Sequence, residues 1–133
     1  MGERTTGNAV ASVMVVDDSV FVARLMTKML DDANYQVVGH AKNGQEALEM
    51  YGRLKPDLVT MDIIMPAMGG IETIAELLKL NAQARILVVS AMGHDPIVQQ
   101  AMKLGARHYI FKPFTKEAFI DAVSKVFSPG SPA

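Results

Sequence analysis

Three aspartates, one serine and one lysine carry the chemistry open to this sequence. Asp17 and Asp18 follow the apolar run SVMVV, and Asp62 follows DLVTM, so each acid stands where a buried, strand-forming run stops. Ser90 closes RILVVS, and Lys112 comes directly after HYIF. If the strands carrying the acids are neighbours, three carboxylates crowd one rim and repel unless a cation neutralises them. With no cysteine in the chain, metal ligands are limited to oxygen and histidine. Carboxylates in that number favour magnesium or a similar hard divalent ion, which takes phosphate oxygens readily. A hydroxyl and an ammonium beside them would supply the donors and positive charge that phosphoryl transfer needs. Each residue alone has a plainer reading. Asp62 could start a turn, Asp17 and Asp18 could cap a helix, Ser90 could form a turn, and Lys112 could be a solvated loop lysine.

Positioning such a set requires strand ends on one edge. Five runs read as strands: residues 12–16 (SVMVV), 35–39 (YQVVG), 57–61 (DLVTM), 85–90 (RILVVS) and 108–111 (HYIF). Pro66 stops the third from continuing far. Helix-length segments separate these runs, which predicts an α/β fold with a parallel sheet covered on both faces. In such sheets ligands bind beyond the carboxyl ends of the strands, where the five polar residues lie.

The segments between the runs have helical periodicity. Val22, Leu25, Met26 and Met29 form a stripe in the first, and Ile71, Ile74, Ala75 and Leu78 form one in the third. The last carries Phe119, Ala122, Val123, Val126 and Phe127. Asn43 with Glu46 three residues on reads as a cap for the second helix. Asp95-Pro96 reads as the start of the fourth helix and Gly105 as its end. Ten methionines, several on these stripes, are read as core filling. Residues 1–11 and 128–133 lack periodicity and read as flexible tails around a domain at 12–127.

Length and composition narrow the function classes. A chain of 133 residues has the size of one domain. Its net charge of -1 gives no electrostatic reason for direct nucleic-acid binding. No apolar run approaches the ~20 residues of a membrane span, and MGERTTGNA lacks the apolar core of a signal peptide. Together with the absence of cysteine, this leads us to expect a cytoplasmic location without membrane insertion. His40, His94 and His108 show no metal-like spacing and are read as surface or helix-end residues. No G-x-x-x-x-G-K-[ST] loop is present, which disfavours nucleotide hydrolysis by that route.

The motifs VVDDS (15–19), NGQEAL (43–48), PDLVTMDIIMPAMGG (56–70), SAMG (90–93) and GARHYIFKPF (105–114) resemble the receiver domain of two-component response regulators. Within that family the pattern is most similar to the single-domain chemotaxis members. The resemblance implies a flavodoxin-like (βα)5 doubly wound sheet in the strand order 2-1-3-4-5. It implies that Asp62 accepts a phosphoryl group from a kinase phosphohistidine. Asp18, Asp62 and the backbone carbonyl of Ile64 would bind Mg²⁺, with Asp17 assisting through a water. Ser90 and Lys112 would contact the phosphoryl oxygens. Tyr109 matches the family's aromatic switch residue, whose ring turns inward as Ser90 moves. The implied partners are a chemotaxis histidine kinase upstream, the flagellar motor switch protein or another output protein downstream, and a phosphatase. Such a protein is a switch that catalyses only its own phosphoryl transfer and dephosphorylation, and is otherwise no enzyme.

Other readings stay open at the sequence level. A small-molecule phosphatase resembling the haloacid dehalogenases would carry a second acid two residues after Asp62, where this chain has Ile64. A flavin carrier would need hydroxyl and glycine donors where this chain has DDSVF. The tail FSPGSPA has a linker's composition, so a receiver from a methylesterase or DNA-binding regulator is also compatible. The chain opens with its own methionine, and the expectation is a stand-alone protein. Ile64 and Met92 are apolar where related proteins often carry polar side chains, so the acyl phosphate is expected to have a lifetime different from theirs.

Overall fold

The computed structural model describes residues 9–65, 69–91 and 95–128. Pro66, Met92, His94 and most of both expected tails lie outside them. Ten elements alternate: β1 (Ser12–Val16), α1 (Val20–Asp32), β2 (Gln36–Ala41), α2 (Gly44–Leu54), β3 (Leu58–Asp62), α3 (Gly70–Leu80), β4 (Ile86–Ala91), α4 (Asp95–Leu104), β5 (His108–Lys112) and α5 (Lys116–Phe127). All pairings are parallel and the strand order is β2-β1-β3-β4-β5, the flavodoxin-like order expected. β1 and β3 are therefore neighbours, and the sheet's winding reverses between them. That reversal opens a crevice at the strand ends.

Alternation along the strands builds two cores. Met14, Val16, Val59, Met61, Ile86 and Val88 face α2, α3 and α4. Val13, Val15, Leu58, Leu87 and Val89 face α1 and α5. Burial on both faces accounts for the near-continuous apolar runs of the three central strands.

Strand limits shift by a residue or two from the expected ones, for local reasons. Tyr35 belongs to the turn before β2, where its N–H donates to the Leu30 carbonyl at 2.9 Å. Asp57 brackets the start of β3 and accepts from the Ser12 N–H at 2.9 Å and hydroxyl at 3.1 Å. Asp62 is itself the last residue of β3, in register with Val89.

Two helix faces differ from the sequence expectation. In α1 the buried residues are Ala23, Met26 and Leu30, while Leu25 is exposed and Val22 and Met29 are half-buried. Ala23 lets the helix backbone approach the sheet, and this rotates the stripe by about one position. In α3 the buried positions are Gly70, Thr73, Ile74 and Leu77, with Ile71, Ala75 and Leu78 only half-buried. Gly70 sets this docking, because a Cβ there would lie 2.3 Å from the Cα of Ile63. Thr73 tolerates burial because its hydroxyl donates to the Gly69 carbonyl at 2.8 Å.

The caps follow local chemistry. Asn43 accepts from the Glu46 N–H at 2.9 Å, and the Glu46 carboxylate in turn accepts from the Lys42 N–H at 2.8 Å. Asp95 is the first residue of α4 rather than the residue before it. Gly105, at φ 129°, ends α4 with its N–H on the Met102 carbonyl and that of Ala106 on the Ala101 carbonyl. On α5, Phe119, Ala122, Val123 and Val126 are all buried as their spacing predicts.

Candidate functional site

The carboxyl ends of β1, β3, β4 and β5 bring the candidate residues together. Asp17 extends the β1–β2 ladder by one bond, its N–H donating to the Ala41 carbonyl at 3.0 Å. Its side chain then turns back, and Oδ1 accepts from the Ser19 N–H at 2.9 Å. Ser19 caps α1 through its hydroxyl, which accepts from the Val22 N–H at 3.2 Å. Asp62 repeats the device at the end of β3, with Oδ1 accepting from the Ile64 N–H at 3.2 Å. Short acidic side chains favour such turns onto backbone two residues ahead, and the turn holds each carboxylate at the rim.

Carboxylate oxygens of Asp17, Asp18 and Asp62 lie within 4.8 Å of one another. Asp17 and Asp62 are buried, at 1% and 6% exposure, while Asp18 is open to solvent. Lys112 leaves β5, three strands from β1, and lies across the sheet end. Its Nζ is 3.2 Å from Asp17 Oδ2 and 3.9 Å from Asp62 Oδ2. The Lys112–Pro113 bond is cis. Ser90, at 1% exposure, sits one residue beyond the partner of Asp62 on β4, and its hydroxyl donates to the Ala91 carbonyl at 3.3 Å.

Burial lifts the Asp62 carboxyl to about 6 from its ordinary 3.8. The Lys112 ammonium and the Ile64 N–H oppose that rise, and the Asp17 and Asp18 charges add to it. One lysine therefore does not compensate three carboxylates. Further positive charge is called for, and an all-oxygen donor set with one solvent-facing member fits a hard divalent cation. Asp17, Asp18 and Asp62 could hold it. The carbonyl of Ile64, expected as a fourth ligand, belongs to the half-exposed residue whose N–H already binds Asp62.

Tyr109 is on the outward side of β5, 36% exposed, with its ring edge-on to Phe111 at 5.4 Å between centroids. The two described histidines keep partial exposure but lie in strands and not at helix ends. His40 is half-buried within β2, and its Nε2 lies 2.8 Å from the Asp17 carbonyl oxygen. His108 begins β5, half-buried, where burial pushes its imidazole below the usual value. Nothing in residue spacing marks His40, because its direction depends on a break in strand register.

A model of the response regulator receiver domain matches residues 13–124. The chain is 46% identical over 114 residues to the chemotaxis protein CheY of Thermotoga maritima, covering 86% of this chain and 95% of that one. It is 40% identical over 116 residues to CheY of Bacillus subtilis, covering 87% and 97%. A crystal structure of the CheX–CheY–BeF3–Mg²⁺ complex from Borrelia burgdorferi superposes with a TM-score of 0.87 at 30% identity, covering 92% of each chain. Among the described residues, no helix is long and apolar enough to cross a membrane.

Proposed function

The chain belongs to the response regulator receiver domain family, and from that membership we propose that Asp62 is the phosphoacceptor of a chemotaxis switch. The observation that carries the proposal is the convergence of Asp17, Asp18 and Asp62 with the Lys112 ammonium 3.2 and 3.9 Å from two of them. An Asp62 oxygen forms a bond to phosphorus as the P–N bond of a kinase phosphohistidine breaks. The leaving imidazole keeps the electron pair and takes up a proton. Lys112 and the Ser90 hydroxyl receive the phosphoryl oxygens and compensate their charge. Asp18, Asp62 and the Ile64 carbonyl would hold Mg²⁺, with Asp17 assisting through a water, and the ion would supply positive charge that compensates the phosphoryl group.

The output is a change of surface. Ser90 is drawn toward the phosphoryl group, and the half-exposed Tyr109 ring on the neighbouring strand turns into the space released. The protein is a cytoplasmic switch, not an enzyme acting on other substrates. Its partners are a chemotaxis histidine kinase, the flagellar motor switch protein or another output protein, and a phosphatase that ends the signal. CheX shares a complex with CheY in the Borrelia burgdorferi structure, which supports a further protein partner for the BeF3-bearing, Mg²⁺-loaded form.

Labelling with acetyl phosphate tests the reading. Incorporation should require Mg²⁺ and disappear in Asp62→Ala; labelling that survives in that variant refutes Asp62 as acceptor. A pull-down with and without beryllofluoride tests the target. Recovery of the motor switch protein in the activated sample alone supports the chemotaxis role, and recovery of a cyclase or esterase domain instead overturns it.

A further inference from the structure

We infer that His40 is a positioning residue for the acidic loop after β1, turned toward it by a bulge in β2. This deepens the reading of the site given above and rests on it. In the β1–β2 ladder Val13 pairs with Val37 but Met14 pairs with Gly39, which leaves Val38 without an opposite residue. One extra residue on one strand inverts the facing of everything beyond it. Without the bulge, His40 would stand opposite Val16 and face α2. With it, His40 stands opposite Val15, whose side chain belongs to the core under α1 and α5. Neighbouring positions agree with this inversion. A side chain at Gly39 would meet Met50 and Leu54 of α2, while Val37 and His40 share a groove of about 690 Å³ with Ala23 and Thr27 of α1.

The contact made there has one polarity. Nε2 of His40 is 2.8 Å from the Asp17 carbonyl oxygen, which can only accept. The ring therefore carries its proton on Nε2 and donates. With that bond every polar atom of Asp17 is engaged: its N–H on Ala41, its carbonyl by His40, Oδ1 by Ser19 and Oδ2 by Lys112. The carbonyl is the peptide bond into Asp18, so the imidazole orients the plane from which the solvent-facing carboxylate departs. His40 touches neither metal nor phosphoryl group. It acts through Asp17 and Asp18, lowering the cost of ordering them around a cation.

The test compares His40→Met with His40→Gln in the full chain, because the two side chains are similar in size and only Gln offers an N–H near the Nε2 position. Mg²⁺ binding measured by calorimetry is expected to weaken about five-fold in His40→Met, the equivalent of about 1 kcal/mol, and to stay within about two-fold of wild type in His40→Gln. Urea midpoints of the two variants should agree, which separates positioning from general stability. Equal Mg²⁺ affinity in both variants, with wild-type binding intact, removes the role of His40 and leaves the site's function standing. A wild-type chain that binds no Mg²⁺ sinks the reading of the site itself. Should His40→Met not fold, ¹⁵N spectra of the wild-type imidazole decide: protonated Nε2 supports the contact, and a neutral ring protonated on Nδ1 overturns it.

Discussion

Replacing Asp62 by Asn should make the metal-free protein more stable at neutral pH. Burial at the end of β3 raises this carboxyl to about 6 from 3.8, even with Lys112 and the Ile64 N–H drawing it down. An acid whose folded value is raised binds its proton more tightly folded than unfolded. Its favourable contribution is complete below about pH 3.8, is lost as pH climbs to about 6, and stays lost above. The interval corresponds to about 3 kcal/mol, an upper figure because part of the charge repulsion relaxes on small movements. Asn keeps the shape and the acceptor for the Ile64 N–H while removing the charge. In EDTA at pH 7.5, urea unfolding followed by circular dichroism should show Asp62→Asn about 2 to 3 kcal/mol more stable than wild type. The advantage should vanish near pH 4. Mg²⁺ should narrow it at neutral pH, since the cation stabilises the folded wild type more than the variant. Equal or lower stability of Asp62→Asn at pH 7.5, with parallel pH profiles, would refute the argument that this acid is held charged against its surroundings.

Three further outcomes follow from other parts of the structure. Thr60→Val should stabilise the protein by about 1 kcal/mol in the same denaturation assay, because the buried Thr60 hydroxyl has no hydrogen-bond partner among the described residues and Thr60 lies between Val15 and Leu87 in the sheet. Gly70→Ala should cost about 2 to 3 kcal/mol and slow acetyl phosphate labelling, since the added Cβ would sit 2.3 Å from Ile63 Cα and 2.9 Å from the Asp62 carbonyl oxygen. Ile64→Asn should change the rate of phosphate loss from labelled protein by several-fold, as its half-exposed side chain stands at the mouth of the site; an unchanged lifetime removes that idea.

Much of this protein was legible in its sequence because the relevant physics is local. A short run rich in β-branched residues such as ILVV, too short for a helix and alternating with helix-length segments, reads as a central strand of a covered sheet. Asn43 and Gly105 act on backbone within a few residues of themselves, so their caps needed no tertiary knowledge. Once the strands were known to be parallel, Asp17, Asp18, Asp62, Ser90 and Lys112 had to share one edge. The tertiary structure decided what depends on partners distant in the chain. In α1, apolar residues at 20–23, 25, 26, 29 and 30 offer several overlapping stripes, and only docking onto the sheet selects Ala23, Met26 and Leu30. The adjacent Asp17 and Asp18 look alike in sequence, yet one is buried against Lys112 and the other faces water, because the ladder to β2 continues through Asp17 alone. The direction of His40 depends on one extra residue in the register of β2 against β1. Register is a relation between two segments, set by how their side chains pack, so neither segment carries it by itself.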